Sequence, residues 1–167
     1  MILTKPEILK EIKEGRIKIT PKEKKDIGPA SIDLTLGEKI RVFNKKKVFD
    51  IGKSINYKKC TQLINIKKGY VLAPGELVLG ITKEKITLPD NICGWLQSRS
   101  RFARIGLMSH VTAPFICPGI SNKQVLEIFN AGTHDILIKS GVKVCQLILQ
   151  ECKGKAKYKG KFKNQEL

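Results

Sequence analysis

Apolar residues recur at helical spacing in one part of this chain, residues 1–15, "MILTKPEILKEIKEG". Ile8, Leu9 and Ile12 make one apolar face there. Thr4 and Glu7 have capping-box spacing, Leu3 can staple to Ile8, and Gly15 provides a stop. A helix is predicted over this segment. Beyond it the pattern drops to period two or to short apolar runs. "RIKI", "SIDLTLG", "IRVF", "YVLAPGELVLGIT", "EKITLP", "CGWLQS", "VLEIFNAG", "DILIKSG" and "VCQLILQE" are rich in Ile, Val and Leu and bounded by Gly, Pro, Asn and Asp. Short strands with turns about every eight to twelve residues predict a mostly β domain, a distorted barrel or jelly-roll-like sandwich, carrying one N-terminal helix. "APGE" at 73–76 and "IKSGVK" at 138–143 have the composition of hairpin turns, and "FARIGL" reads as a helical turn. No internal repeat and no interdomain linker interrupts the pattern.

The pattern ends at residue 152. In 153–167, "KGKAKYKGKFKNQEL", lysine recurs at every second position from Lys153 to Lys163, and no large aliphatic residue precedes Leu167. Such a segment buries too little apolar area to offset its ordering entropy. Residues 1–152 are therefore expected to form the folded domain, and 153–167 a flexible basic extension.

A chain of 167 residues suffices for one domain with a hydrophobic core. Its formal net charge of +17 implies acidic partners: nucleic acid, nucleotides or an anionic surface. No apolar run reaches the length of a membrane-spanning helix. The N-terminus lacks the apolar core of a signal peptide. The five cysteines, Cys60, Cys93, Cys117, Cys145 and Cys152, form no C-x-x-C pair. Free thiols in a reducing cytoplasm, with Cys93 and Cys145 in the core and no structural zinc, are expected.

Three stretches carry candidate chemistry. "SRSRFARIG", residues 98–106, places Arg99, Arg101 and Arg104 beside Ser98 and Ser100 where a strand runs into a turn. Guanidinium forks, hydroxyls and unpaired N–H groups together suit an anion such as phosphate. A solvated basic face is the alternative. "SHVTAPFICPGI", residues 109–120, is poor in long side chains, and Pro114, Pro118 and Gly119 fix its backbone. It can offer backbone groups to a flat ring, or be a packed turn in which His110 completes a local hydrogen bond. In "QVLEIFN", Glu127 shares a strand face with Val125 and Phe129. A carboxylate among apolar neighbours needs a partner or its pKa rises, and a raised pKa suits a general acid/base. The chain has no H-x-E with P-C-x-x-C as in zinc deaminases, no Walker A loop and no dinucleotide fingerprint.

In order along the chain, these stretches resemble the dCTP deaminase branch of the dUTPase-like superfamily. "SRSRFARIGLMSHVTAPFICPGI" is similar to the family's R-S-S-x-x-R-x-G-L, H-x-T-A and F-I-D-P-G-F run, and "VLEIFN" to its V-L-E strand. "GPASIDLTLG" resembles its P-S-S-x-D-x-x-L-G strand, and "YKGKFKNQ" its Y-x-x-K-Y-x-x-Q tail, with Phe162 for the second tyrosine. The resemblance implies a distorted dUTPase-like β-barrel, a homotrimer with active sites between subunits, and zinc-free hydrolysis of dCTP to dUTP and ammonia in the cytoplasm. By position, Glu127 falls on the catalytic acid/base, Ser100 and Arg104 on its polar supporters, and Arg99 on a triphosphate ligand. Arg101, Phe102 and Ala103 continue that phosphate-side turn. Val125 and Leu126 fall on the base-contacting strand. Tyr158, Lys161 and Gln165 fall on a tail that closes over the nucleotide. Mg²⁺ is implied through the triphosphate and dTTP as an inhibitor. Neither a membrane nor nucleic acid is the expected partner.

Two residues depart from the family pattern. Arg101 stands where a second serine contacts phosphate. Cys117 stands where an aspartate helps hold the sugar and, in dUTPases, activates the attacking water. Three readings follow: a dCTP deaminase; a dUTP pyrophosphatase or bifunctional deaminase–pyrophosphatase; or a non-catalytic nucleotide-binding paralog. Glu127 favours the first, because monofunctional dUTPases carry an apolar residue at its position.

Overall fold

The computed structural model of the chain describes residues 1–21, 26–43 and 48–167. The predicted N-terminal helix is α1, Lys5–Lys13. Thr4 is its N-cap, but no side-chain cap hydrogen bond forms, so the expected capping box is not made. The entry is held by backbone instead: Lys5 N donates to Pro29 O at 2.7 Å, and Pro6 lies in the first turn, where a missing N–H costs nothing. Leu3 and Ile8 are both buried, as the staple requires.

Eleven strands follow among the described residues: β1 Lys18–Thr20, β2 Ile32–Phe43, β3 Thr61–Asn65, β4 Tyr70–Leu72, β5 Leu77–Thr87, β6 Ile92–Ser98, β7 Leu107–Met108, β8 Phe115–Ile116, β9 Ser121–Asn130, β10 Ile136–Ile138 and β11 Lys143–Glu151. A short helix α2, Ser100–Ala103, lies between β6 and β7, where a helical turn was predicted. The main sheet runs β7-β9-β5-β2-β11-β6-β8, with β1 also on β5 and β3 also on β2, and every pair is antiparallel. It curls into a half-barrel. Among the described residues no helix is long and apolar enough to cross a membrane.

Two sequence readings change in detail. "SIDLTLG" and "IRVF" are one strand, β2, and "EKITLP" continues β5, because irregular registers at 36/40 and 81/85 carry the pairing across their polar breaks. Gly37 makes this possible: a Cβ there would stand 2.9 Å from Ile81 O. The turns at 73–76 and 138–143 are not hairpins. β4 pairs with β10 in a separate two-stranded sheet, while β5 and β11 belong to the main sheet. Both turns are corners at which the chain changes sheets, which local turn chemistry cannot distinguish from hairpins.

The core is aliphatic. Leu34, Leu36, Val78, Leu126, Ile128, Leu147 and Ile8 are buried almost completely, each worth roughly 1.5–3 kcal/mol on burial. Cys93 and Cys145 join them, as expected, and all five cysteines are free. Along β9 the inward parity is Asn122, Gln124, Leu126, Ile128 and Asn130. Val125, Glu127 and Phe129 take the outward parity and are partly exposed.

The junction after α2 rests on two glycines. Gly106 has φ +82, and a Cβ on it would lie 2.4 Å from Gly132 N and 2.6 Å from Gly132 Cα. Ala131 N donates to Gly106 O at 2.9 Å, so backbone is packed on backbone. Gly141 also has positive φ, +84, but open space around it. Gly141→Ala is expected to cost about 1–2 kcal/mol, the left-handed penalty alone, and Gly106→Ala more than about 3 kcal/mol, because the contacting atoms are main chain. Thermal melts at matched protein concentration check this. Equal losses at the two positions would show that the Gly106–Gly132 contact is not a constraint.

Candidate active site

The outward parity of β9 presents Val125 and Glu127 to a cavity of about 310 Å³. Its walls come from three places: the neighbouring strand through Leu79, which lies opposite Glu127; the loop 110–120 through His110, Phe115, Cys117 and Ile120; and the tail through Tyr158 and Gln165. Asn122 and Gln124 complete the lining.

The first half of the loop 110–120 is pinned on both sides. Ser109 N donates to Ser98 Oγ at 3.0 Å, and Leu96 N donates to Pro114 O at 2.8 Å. Its first turn consequently aims three N–H groups at one carboxylate. Val111 N, Thr112 N and Ala113 N donate to Glu127 Oε2 at 3.0, 2.6 and 3.4 Å. Among the described residues, Oε1 receives only the Thr112 hydroxyl, at 3.3 Å. Burial pushes the Glu127 carboxyl up, but the N–H groups of Thr112, Val111 and Ala113 and the Thr112 hydroxyl outweigh it, and the group sits below its ordinary value. The sequence-based expectation of a raised pKa is corrected here. That expectation weighed the apolar strand neighbours, whereas the donors come from a loop 14 to 16 residues away. Burial lowers the pKa of His110, with the Glu127 charge partly offsetting it, and its Nδ1 is buried without a hydrogen-bond partner among the described residues.

Of the residues singled out in the sequence, Cys117, Val125, Glu127, Tyr158 and Gln165 meet in this cavity. Leu126 does not: its side chain is fully buried in the core, so only its backbone can face a ligand. The Lys161 backbone lies in a 3₁₀ turn, Lys161–Asn164, and its side chain is outside the described residues. The run 99–104 also lies apart from the cavity lining. Arg99 is paired with Asp33 at 2.9 Å, Arg101 lies 4.7 Å over the Phe102 ring, and Phe102 packs on the core. Ser100, Ala103 and Arg104 are exposed. Within one chain, then, the serine–arginine turn does not contribute to the lining around the carboxylate. Asn122 and Gln124 were missed, although two amides at inward positions of an aliphatic strand were a readable signal.

The tail lies against the barrel. Ala156 N donates to Asp90 O at 2.8 Å and Tyr158 N to Pro118 O at 3.1 Å, and the Tyr158 ring packs against the core. Beyond Tyr158, the tail is fastened by polar contacts of Lys163 and Gln165.

A curled antiparallel sheet with a nucleotide-sized cavity beside one strand is the dUTPase-like architecture. A solved dUTPase from EIAV matches at TM-score 0.55 with 20% identity, over 85% of this chain and 92% of that one. The crystal structure of 2′-deoxycytidine 5′-triphosphate deaminase from Agrobacterium tumefaciens matches at TM-score 0.70 with 21% identity. It is covered over 89% of this chain and 47% of its own length, so this chain spans about half of it. The sequence is more specific than the fold. The dCTP deaminase-like family model matches residues 2–152, and the chain belongs to that family. It is 38% identical to the dCTP deaminase of Pseudoalteromonas atlantica over 99% of this chain and 92% of that protein. It is 39% identical to the dUMP-forming dCTP deaminase of Corynebacterium glutamicum over 89% and 80% respectively.

The lowered pKa of Glu127 has a consequence for stability. Because its folded pKa is depressed, the stability it lends is complete above the unfolded pKa and is lost as pH falls through the folded one. Glu127→Gln cannot titrate. The melting-temperature advantage of the wild type over this variant is expected to be widest near neutrality and to close as pH falls through and below the usual carboxylate range. A gap independent of pH would show that the loop donors do not select the charged form.

Proposed function

We propose that this protein hydrolyses dCTP to dUTP and ammonia, supplying deoxyuridine nucleotides toward dUMP. The observation that carries the proposal is Glu127, the single carboxylate among the described lining residues, held as an anion by three N–H groups with Oε1 less engaged. Water attacks C4 of the cytosine while Oε1 takes its proton and passes it to N3. The resulting tetrahedral C4 carries one hydroxyl and one amine. The hydroxyl proton then passes by way of Glu127 to the amine, the C4–N bond breaks and ammonia leaves, with C4=O restored. Each step asks one positioned carboxylate to take and return a proton. Val125 and Leu79 beside it suit a flat ring.

The lining described for one chain contains neither Ser100 nor Arg104, and no lysine or arginine. A triphosphate there lacks counter-charge. We therefore propose a homotrimer in which the 99–104 turn of a neighbouring copy completes each site, Ser100 orienting the water, Arg104 steadying Glu127, and Arg99 and Arg101 meeting phosphate. The tail 153–167 serves as the lid. Its mostly polar fastenings let it lift and return at small cost in apolar burial. No group of three or more His, Cys, Asp or Glu among the described residues is placed to hold a metal ion. Mg²⁺ is proposed to be carried by the triphosphate oxygens, where it would neutralise phosphate charge, and the deamination is proposed to be zinc-independent. dTTP, sharing sugar, triphosphate and a pyrimidine ring, is the proposed inhibitor, and the cytoplasm the proposed compartment.

The product is proposed to be dUTP. Cys117 is partly buried in the cavity where an aspartate would activate water for attack on phosphorus. A neutral thiol is a weak acceptor and a poor substitute. In a product-resolved assay, wild type is expected to accumulate dUTP from dCTP. Glu127→Gln is expected to lose at least about 10²-fold in turnover with nucleotide binding nearly kept. Variant turnover above about a tenth of wild type would remove Glu127 from the acid/base role, and dUMP with pyrophosphate as main products would overturn the assignment of Cys117.

The shared site is tested by mixing. Ser100→Ala and Glu127→Gln are each expected to be inactive, and co-assembly of the two is expected to restore part of the activity, because hybrid assemblies contain sites with both native groups. No recovery from verified hybrids would confine each site to one chain.

A further inference from the structure

Asn122 and Gln124 occupy inward positions of β9, the same parity as Leu126 and Ile128. Both amides are buried, at 8% and 6% exposure, and a buried amide is costly unless it is hydrogen-bonded. Their partners are unusual for core residues. Gln124 Nε2 donates to Asn122 Oδ1 at 2.6 Å, so the two side chains act as one unit. The unit then reaches the tail twice: Asn122 Nδ2 donates to Lys163 O at 3.2 Å, and Gln165 Nε2 donates to Gln124 Oε1 at 3.3 Å. Gln165 Nε2 is also 3.0 Å from Lys123 O on the same strand. On the barrel side the unit is fixed, since Gln124 N donates to Thr82 Oγ1 at 2.9 Å, and that hydroxyl donates to Glu84 O at 2.8 Å. Both amides line the cavity that holds Glu127.

We propose that the Asn122–Gln124 pair is a catch that fastens the closing tail and positions it over the bound nucleotide. Resting on the reading of the tail as a lid, the proposal assigns its specific partner. Lifting the tail takes away the Lys163 and Gln165 partners while the amides stay at the edge of the core. The open state is thereby made costlier by two apposed polar groups, and closure becomes directional rather than a loose electrostatic collapse of lysines onto phosphate. Leucine or valine at these positions would pack the barrel equally well but offer the tail nothing. The catch acts through the lid and does not touch the reacting atoms, so the pair are positioning residues.

The test uses the tail's own lysines as trypsin sites. In full-length nucleotide-free protein, Gln124→Leu is expected to speed cleavage within 153–163 about tenfold, the loss expected for one net hydrogen bond of the larger kind. Gln165→Leu, which alters no core position, is expected to do the same. The double variant is expected to be cut little faster than Gln165→Leu alone, because the Gln124–Gln165 bond is already lost in that single variant. Melting temperatures of all three establish that the barrel is folded, and Gln165→Leu alone still tests the catch if Gln124→Leu is not. In steady-state assays the KM for dCTP is expected to rise about tenfold for Gln124→Leu with kcat within about twofold, since one fastening hydrogen bond is lost and no reacting group is altered. Unchanged cleavage in Gln165→Leu, or additive effects in the double variant, overturns the proposal. The cleavage arm needs no turnover, so it stands or falls separately from dCTP deamination, which the wild-type assay decides alone.

Discussion

A carboxylate drawn partly out of water must find donors or give up its charge, and that demand on Glu127 organises the surroundings of the cavity. Its donors are main-chain N–H groups, so the loop that carries them has to be held in one shape. Ser109 on Ser98 and Leu96 on Pro114 fasten the turn that carries these donors to β6 from both sides. The loop in turn supplies the wall of the cavity through Cys117 and Ile120, and the carbonyl of Pro118 receives the tail at Tyr158. Strand, loop and tail are thus coupled through one charged group.

The division of charge over the molecule follows a different logic. The excess of 32 lysines and arginines over 15 acidic residues is large, yet the described cavity lining has none of the cations. The arginines nearest in sequence to the loop sit on α2 and at its two caps, with Arg99 already engaged by Asp33. An anion attracted by the overall field would find no lysine or arginine among the described lining of the cavity in one copy. The proposed assembly resolves this by bringing the faces of two copies together.

Local signals in the sequence were read well where neighbours in the chain decide the outcome. The apolar stripe of α1, the shared face of Val125, Glu127 and Phe129 on β9, and the turn at α2 all belong to this class, although that face of β9 proves to be the outward one. So do Cys117, Tyr158 and Gln165, which family-like spacing singled out and which meet in the cavity. The failures are non-local. Ala73–Glu76 and Ile138–Lys143 have ordinary turn chemistry, and only the pairing of β4 with β10 shows that each is a corner. The direction of the Glu127 shift depends on Val111, Thr112 and Ala113, which adjoin it through the fold and not through the strand. Asn122 and Gln124 share the parity of Leu126 and Ile128, which was a local sign of their burial, but their partners Lys163 and Gln165 come from the distant tail.

Trp95 is the only tryptophan of the chain, and it stands opposite Phe115 across the β6–β8 pair, ring centroids 4.9 Å apart and planes at 59°. Its indole N–H donates to Gln150 Oε1 at 3.1 Å, which fixes one edge of the ring, while Phe115 on its other side lines the cavity. The molecule therefore carries a single indole fluorophore one side chain removed from the cavity. Any ring that displaces or stiffens Phe115 alters the indole's surroundings, and occupancy of the cavity becomes an optical signal that needs no label.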